Sequence, residues 1–302
     1  MRICSLLPSA TEILYALGLG DSVVGVTHEC DFPSDAAKKP ALIRPRVDPH
    51  AAASEIDRQV IELVARGESI YAVDAELLGS LAPDLIITQD LCHVCAASPD
   101  DLATALTRLP KKPRVLALTS HSLRDVWDDV RKVGDSTQRR REAQALSITL
   151  EQKVAAIEAR AAQAKTRPRV LCVEWLDPYY VGGHWVPEMV AKAGGQDVLG
   201  RPGEPSYRVT GAEIVATGAE IVIVMPCGFG VERAVSEYRT AKLPDGWVDL
   251  PAVRQGRVFA IDANSYSARP GPRLADGVAI LAHLFHPELF PAAPPAGSFR
   301  KL

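Results

Sequence analysis

Residues 120–165 constrain the fold most, because they predict a short helix followed by one long helix. Apolar side chains recur there every three or four positions, which is the spacing of one helical face. They are Leu123, Trp127, Val130 and Val133, then, after a break at Gly134 and Asp135, Leu146, Leu150, Val154, Ile157 and Ala161. Pro168 ends the pattern, because proline lacks the amide hydrogen that a helical turn needs. A helix over residues 136–165 would be roughly 45 Å long, which suits either a crossover helix or a rigid spine between two lobes.

The segments on the two sides of this stretch repeat the same order of elements. A helical pattern at residues 75–78 precedes a buried strand at 84–87, and residues 212–215 precede 220–223 in the same way. Strands that alternate with helices are typical of parallel sheets. We therefore expect an α/β fold of two Rossmann-like α/β lobes with mainly parallel sheets, joined by one long backbone helix. The expected limits are 1–120 for the N-terminal lobe, 121–166 for the helical spine, 167–290 for the C-terminal lobe and 291–302 for a flexible tail.

Polar or aromatic loops follow the predicted strands of both halves. The first strand, residues 3–7, runs into Ser9 and Glu12, which have the spacing of a helix capping box. Other strand ends open into His28 and Glu29, residues 89–95, His121, Glu174 and Trp175, residues 227–229, and residues 264–269. Ligands of open α/β sheets gather beyond the carboxyl ends of the strands. Two lobes with such edges facing each other would form a ligand-binding cleft.

Composition narrows the class of protein. Of 302 residues, 47% are hydrophobic and 24% charged, and the net charge of −3 leaves no basic surplus for nucleic acid or an anionic membrane. The first residues read as a strand rather than a secretory leader, and no apolar run is long enough to span a bilayer. Six cysteines do not indicate a disulfide scaffold. We therefore expect a soluble cytoplasmic protein without membrane insertion, or a periplasmic one if the chain is truncated.

The order of several motifs resembles a known family. The motifs are Leu7-Pro8-Ser9-Ala10-Thr11-Glu12, Leu81-Ala82-Pro83-Asp84-Leu85-Ile86, the central helical stretch and the Gly194-Gly195 turn. Over residues 2–290 the chain is similar to the helical-backbone (TroA-like, class III) substrate-binding proteins of ABC importers, and most similar to their cobalamin-binding branch. The resemblance implies two lobes that clamp cobalamin, haem, a ferric siderophore or a metal ion with only small closure. It also implies an ABC permease as partner, docked through one acidic residue per lobe.

Cys92 and Cys95 have Cys-x-x-Cys spacing, with His93 between them. Two thiolates at this spacing can hold zinc or another soft metal, contact a corrinoid, or form a redox dithiol; they can also be loop thiols without a partner. His28 and Cys30 could complete a metal site if the two loops meet. The neutral imidazole of His28 could also ligate an open position on cobalt or iron, unless the loop is simply a solvated turn.

Two indoles and three arginines suggest contacts with a large, flat ligand. Trp175 and Trp185 could stack on a macrocycle, or they could be ordinary packing residues. Arg269, with Arg44 and Arg46, could bind ligand carboxylates or phosphate, or these could be surface arginines. No Gly-x-Gly-x-x-Gly follows the first strand, and no phosphate loop or Gly-x-Ser-x-Gly elbow is present.

The sequence thus favours a binding protein rather than an enzyme, with cobalamin or a related corrinoid, or a metal chelate, as ligand, and with a monomeric state. The alternatives are a cytosolic metal-ion-binding protein and, less favoured, an enzyme with Glu174 or His121 as acid or base. The expected ligand contacts are Pro8, Ser9, His28, Glu29, Arg46, Gln89, Asp90, Cys92, His121, Glu174, Trp175, His184, Trp185, Cys227, Phe229, Tyr266 and Arg269. The expected metal ligands are Cys92, His93, Cys95, His28 and Cys30.

Overall fold

The chain folds into two compact units in a computed structural model that describes residues 1–89, 99–107, 109 and 111–302. The N-terminal unit is Met1–Ser120 with Asp125–Ile148, and the C-terminal unit is His121–Arg124 with Thr149–Leu302. Each unit has its own sheet, and the strand pairs of the two sheets taken together are mainly parallel. The α/β fold class expected from the sequence is confirmed. The finer limits of lobes, spine and tail stay predictions.

The N-terminal unit is built on a sheet of six strands. Its order is β4-β3-β2-β1-β5-β6, in which β3 and β4 are antiparallel and the other pairs are parallel. The elements are β1 (Ile3–Ser5), α1 (Pro8–Ala16), β2 (Val23–Thr27), β3 (Ala41–Pro45), α2 (Ala53–Ala65), β4 (Tyr71–Val73), α3 (Ala75–Leu81), β5 (Leu85–Gln89), α4 (Pro99–Thr107) and β6 (Arg114–Leu118). Chain connections leave β1 and β5 in opposite directions, so these neighbouring strands form the topological switch point where ligands of such sheets bind.

Both faces of this sheet are covered, which explains why its central strands read as continuous apolar runs. Ile3 of β1 packs with Ile13 of α1 in one core. Cys4, the next residue, points to the other face and packs with Leu78 of α3. The alternation of side chains along the strand therefore divides the apolar residues between two layers of helices.

The central helical stretch forms two helices, α5 (Leu123–Ser136) and α6 (Arg140–Ala161). The predicted break at Gly134 and Asp135 is wrong, since α5 continues to Ser136. Gly134 has a packing role instead: a Cβ there would lie 2.2 Å from Cβ of Ala143 on α6, so only glycine allows the two helices to approach this closely. With 22 residues, α6 is roughly 33 Å long, and it contributes residues to both units.

The C-terminal unit has a second sheet, of order β10-β8-β7-β11-β12-β13, with β9 paired to β7. Strands β7, β11 and β12 are parallel, whereas β8, β10 and β13 pair antiparallel with their neighbours. The elements are β7 (Arg169–Leu176), β8 (Tyr179–Val181), α7 (Val186–Lys192), β9 (Gln196–Asp197), β10 (Tyr207–Arg208), α8 (Gly211–Ala216), β11 (Ile221–Val224), α9 (Val231–Thr240), α10 (Pro251–Arg254), β12 (Val258–Ile261), α11 (Ala263–Tyr266), α12 (Leu274–Phe285) and β13 (Phe299–Lys301). The switch point lies between β7 and β11.

Two local predictions differ from the structure. The capping box at Ser9 is wrong: α1 begins at Pro8 with Leu7 as its N-cap, because proline is pre-set for the first helical position, and Ser9 is buried within the first turn. A capping box occurs instead at Thr210 and Glu213, at the start of α8. At the end of the chain, within the predicted flexible tail, residues Phe299–Lys301 form β13 against β12.

None of the helices in the described part of the chain combines the length and apolar character that a membrane crossing needs.

Candidate ligand-binding site

The last residues of β7 and the segments that follow β8, β11 and β12 contact one another in the C-terminal unit. We call them the C-terminal loop cluster: Glu174 and Trp175, residues 182–185, residues 227–229, and residues 264–269. The Cys227 amide donates to the Glu174 carbonyl at 3.3 Å, and Asn264 Nδ2 donates to the Gly228 carbonyl at 3.1 Å. Residues far apart in the sequence are thus joined at the switch point between β7 and β11, where ligands of such sheets bind.

An aromatic pair lies at this switch point. The rings of Trp175 and Phe229 have centroids 5.2 Å apart at an interplanar angle of 52°. Phe229 is buried, Trp175 is partly exposed, and the neighbouring Cys227 is exposed. The Arg233 guanidinium lies over the Phe229 ring, with Cζ 3.7 Å from the ring centroid, a cation–π contact. Phe229 thus packs between Trp175 and Arg233, and Trp175 is the partly exposed member of the aromatic pair.

The loop that joins β8 to α7 is held by a close backbone approach. A Cβ on Gly183 would lie 2.2 Å from the Ser206 amide nitrogen, so glycine is required there. The following residue, His184, has a φ of +52°. Its amide donates to the Glu204 carbonyl at 2.6 Å, and its carbonyl accepts from the Gly203 amide at 2.9 Å. These two bonds hold His184 in a left-handed conformation that few residues other than glycine adopt.

His184 lies between two other rings. Its ring centroid is 5.8 Å from that of His121 and 5.5 Å from that of Trp185, on which it stacks. Its Nε2 atom is buried, and none of the described residues forms a hydrogen bond with it. Burial lowers the pKa of His184, and the neighbouring His121 lowers it further. Two of the predicted contacts, 63 residues apart in the chain, are therefore brought together as an imidazole pair.

Trp185 has a different environment from Trp175. It is only 5% exposed, and its indole N–H donates to the Ser267 carbonyl at 2.7 Å. The predicted stacking role at the rim is therefore less favoured than the packing alternative for this indole. Its contact with Ser267 ties the start of α7 to the loop after α11, where Tyr266 and Arg269 are both partly exposed.

Two carboxyl groups of the C-terminal unit have raised pKa values: Glu174, in the C-terminal loop cluster, and Asp197, on β9. Burial raises the pKa of Glu174 to about 7, although its side chain accepts hydrogen bonds from the Gly183 amide and the Ser206 side chain. Burial likewise raises the pKa of Asp197 to about 6, against hydrogen bonds from the amides of Leu199 and Gly200. The negative charge of Asp197 raises the pKa of Glu174 further. Both groups therefore titrate near neutral pH.

The N-terminal unit presents a second group of predicted residues, after β2. His28 Nδ1 lies 3.0 Å from the Ile43 carbonyl, and its Nε2 lies 3.9 Å from Glu29 Oε1. Cys30 is buried, with its sulfur 3.1 Å from the Thr11 hydroxyl. The thiol of Cys30 is thus engaged inside the unit, whereas the side chain of His28 remains 25% exposed.

The other predicted ligand contacts of the N-terminal unit lie in different environments. Pro8 and Ser9 form the first turn of α1, and Gln89 ends β5 at the switch point. Arg46 lies 3.6 Å from Glu68, so its charge is already paired. Phe32, which is 46% exposed, was not among the predicted contacts, although an aromatic residue close to His28 in the sequence could have signalled it.

Asp90, Cys92, His93 and Cys95 lie outside the described residues, and the Cys-x-x-Cys hypothesis therefore stays a prediction. Within the described ranges, no group of three or more His, Cys, Asp or Glu side chains is arranged to hold a metal ion. His28 and Cys30, the two predicted metal ligands that are described, point to different surroundings. The alternative of a metal-ion-binding protein gains no support from this part of the chain.

Curated relatives match nearly the whole chain. A substrate-binding lipoprotein of an ABC transporter in Bacillus subtilis is 27% identical over 301 residues, 96% of this chain and 81% of the relative. A vitamin B12-binding protein of Vibrio cholerae is 24% identical over 291 residues, 92% of this chain and 86% of the relative.

Solved structures share the fold. A periplasmic haem-binding protein from Roseiflexus has a TM-score of 0.72 at 24% identity, covering 95% of this chain and 98% of that one. The periplasmic vitamin B12-binding protein of Vibrio cholerae has a TM-score of 0.68 at 21% identity, covering 94% and 97%. At these identities the likeness concerns the fold alone.

The expectation of a cytoplasmic protein is wrong, because these relatives are periplasmic proteins or lipoproteins that serve ABC importers. The inference that the cysteines form no disulfide scaffold agrees with the described residues, but it does not decide the compartment. Cys4, Cys30 and Cys172 are buried as free thiols, where a thiol behaves as a small apolar residue. Such thiols do not record the redox state of a compartment.

The expectation that the chain is not an enzyme is confirmed, since the relatives are substrate-binding proteins. The family model described as periplasmic binding protein matches residues 3–265. The chain therefore belongs to the periplasmic binding protein family, as a substrate-binding protein of the ABC-importer type.

Proposed function

We propose that this protein binds a corrinoid of the cobalamin class and delivers it to an ABC permease. The observation that carries the proposal is the aromatic pair of Trp175 and Phe229 at the switch point of the C-terminal sheet, 5.2 Å apart, with Trp175 partly exposed. A corrin macrocycle is broad and largely apolar on its faces. An indole supplies a large, rigid contact area for such a face at low cost in side-chain entropy.

The polar groups around this pair suit the periphery of a corrinoid. Amide side chains surround the corrin ring, and amides are bound best by a mixture of hydrogen-bond donors and acceptors. The C-terminal loop cluster contains Asn264, Tyr266 and His184, and the ring of His121 lies 5.8 Å from that of His184. Aromatic surface with a few polar groups beside it is typical of small-molecule sites.

Relatives add support for the ligand class. Vitamin B12-binding proteins from Vibrio cholerae and Vibrio parahaemolyticus align with 92% of the chain. Haem-binding proteins share the fold, so haem is the principal competitor. Haem carries two propionates, which call for paired cations. Arg46, one of the three arginines considered for that purpose, lies 3.6 Å from Glu68, so its charge is shared with a carboxylate.

Equilibrium dialysis against cyanocobalamin, hydroxocobalamin and haemin tests the proposal. We expect micromolar or tighter binding of at least one cobalamin and at least tenfold weaker binding of haemin. Stoichiometric haemin binding without cobalamin binding would replace the proposed ligand. Failure of all three to bind would reject a tetrapyrrole ligand.

Replacing Trp175 by alanine is expected to weaken cobalamin binding by roughly 10- to 100-fold, because a stacked indole contributes about 1.4–2.8 kcal/mol. Phe299→Ala is the matched control: this aromatic lies on β13, outside the C-terminal loop cluster. Dissociation constants of both variants would be compared with that of the parent protein. Equal affinities for Trp175→Ala and the parent would remove Trp175 from the site.

A further inference from the structure

The backbone of Phe229 is held at the switch point of the C-terminal sheet. Its amide donates to the Pro226 carbonyl at 3.1 Å, and its carbonyl accepts from the Asn264 amide at 3.4 Å. The carbonyl of the preceding residue, Gly228, accepts from Asn264 Nδ2 at 3.1 Å. The turn after β11 and the first turn of α11 therefore fix where the side chain of Phe229 starts.

The ring of Phe229 is oriented by the groups packed on it. The Arg233 guanidinium lies over the ring, with Cζ 3.7 Å from the ring centroid, which is close for a cation–π contact. Arg233 lies in the first turn of α9, four residues after Phe229. Because Phe229 is only 3% exposed, the contact is largely shielded from water, and a cation–π pair is stronger in such surroundings.

A carboxylate one helical turn further along α9 restrains Arg233 in turn. Arg233 Nε lies 3.9 Å from Glu237 Oε1, and the two side chains are 29% and 17% exposed. Residues four apart on a helix are neighbours on its surface, and partly buried charges are screened less than exposed ones. Glu237 thus limits the directions in which the guanidinium can point.

The indole of Trp175 packs against the phenyl ring that Arg233 covers. The two ring centroids are 5.2 Å apart at an interplanar angle of 52°, a favourable separation for an aromatic pair. We propose that Arg233 is a positioning residue of the ligand site: it fixes the ring of Phe229 and, through that ring, the orientation of Trp175. This inference rests on the proposed function and adds to it the group that sets the orientation of the indole.

The shape and the charge of the guanidinium both contribute. A planar guanidinium stacks flat on an aromatic ring, whereas the lysine ammonium is a compact point charge on a flexible stem. Arg233→Lys therefore keeps the charge and loses the flat contact, and Arg233→Met keeps an unbranched apolar side chain without the charge. We expect the orientation of Trp175 to be perturbed least in Arg233→Lys and most in Arg233→Ala.

Acrylamide quenching of tryptophan fluorescence tests the orientation of Trp175 in the ligand-free protein. Three of the four tryptophans are at most 5% exposed, namely Trp127, Trp185 and Trp247. Trp175 therefore accounts for the emission that acrylamide quenches most readily. We expect the quenching constant to rise in Arg233→Ala, to rise less in Arg233→Lys, and to stay unchanged in Arg239→Ala, which alters an exposed arginine of the same helix. Trp175→Phe assigns the signal, because it removes the readily quenched component.

Dialysis with cyanocobalamin measures the consequence for binding. We expect Arg233→Ala to bind about 3- to 10-fold more weakly than the parent, the size of a partly shielded cation–π contact, and Arg233→Lys to recover part of the loss. In a Trp175→Ala background, Arg233→Ala should weaken binding by less than about twofold, because a residue that acts through Trp175 has no further effect once the indole is absent.

Each outcome separates this inference from the proposed function. Unchanged quenching in Arg233→Ala would overturn the inference and leave the corrinoid proposal intact. An undiminished loss of affinity in the Trp175→Ala background would overturn it too, since Arg233 would then act on the ligand without Trp175. Absence of cobalamin binding by the parent protein would overturn the proposed function and with it the role of Arg233 at a ligand site, while quenching would still show whether Arg233 orients Trp175. Arg233→Lys replaces Arg233→Ala if far-UV circular dichroism shows that Arg233→Ala is unfolded.

Discussion

Gly183→Ala is expected to lower the free energy of unfolding by about 3 kcal/mol, the range of a badly overpacked position, and to abolish ligand binding. A Cβ at this position would lie 2.2 Å from the Ser206 nitrogen, 2.6 Å from the Pro205 carbonyl carbon and 2.8 Å from the Glu204 oxygen. All three atoms belong to the backbone, so no side-chain rotation can relieve the overlap. The two segments must separate, and the bond from the His184 amide to Glu204 would be lost with them.

Urea denaturation of the variant gives the free energy, and dialysis with cobalamin gives the affinity. Gly230→Ala is the matched control, because a Cβ there meets no atom within 4 Å and the backbone φ of −76° suits alanine. The control should stay within about 0.5 kcal/mol of the parent. A Gly183→Ala variant as stable as the control would show that the 183–206 contact does not hold the C-terminal loop cluster together.

The contribution of Glu174 and Asp197 to the stability of the protein is expected to fall as the pH rises from about 5 to 8, by about 4 kcal/mol. Burial raises the pKa of Glu174 to about 7 and that of Asp197 to about 6, whereas both titrate near pH 4 in an unfolded chain. The folded protein therefore holds more protons than the unfolded chain in this window. The stabilisation that these two carboxyl groups provide is fully present below about pH 4. It is lost as the pH rises through their raised pKa values of about 6 and about 7.

Urea denaturation at a series of pH values measures the slope of the free energy of unfolding against pH. Glu174→Gln removes one of the two groups and should flatten the slope, most clearly between pH 6 and 8. Glu204→Gln, an exposed carboxylate on the nearby loop, should keep it. A stability that is constant or rises over this range in the parent protein would show that the two carboxylates are not held in the environment described.

Much of the fold was predictable, because it depends on patterns local in the sequence. The apolar runs at Leu85 and Ile221 are buried on both faces, as parallel strands require. Gly134 shows where such reasoning ends. A glycine in a helical pattern usually suggests a break, and only the position of Ala143 on the next helix reveals that it serves a close contact. Likewise, α1 begins at Pro8 because proline suits the first helical position, although Ser9 and Glu12 have the spacing of a capping box.

The loops that form the candidate site could be predicted from the sequence, but the contacts between their side chains could not. The sequence predicted the same role, stacking on a ligand, for Trp175 and Trp185. Their difference depends on the Ser267 carbonyl, which is 82 residues away from Trp185 and takes its indole N–H. The contact of His28 Nδ1 with the Ile43 carbonyl depends in the same way on the register of β2 against β3. Burial and partners of this kind arise from tertiary contacts, which a single sequence does not record.

Calorimetric titration of the protein with hydroxocobalamin, with haemin in a parallel titration, tests the central claim most directly. The account predicts one equivalent of cobalamin bound with a micromolar or lower dissociation constant, and haemin bound at least tenfold more weakly. Heat that does not saturate with cobalamin, together with one-to-one binding of haemin, would contradict it.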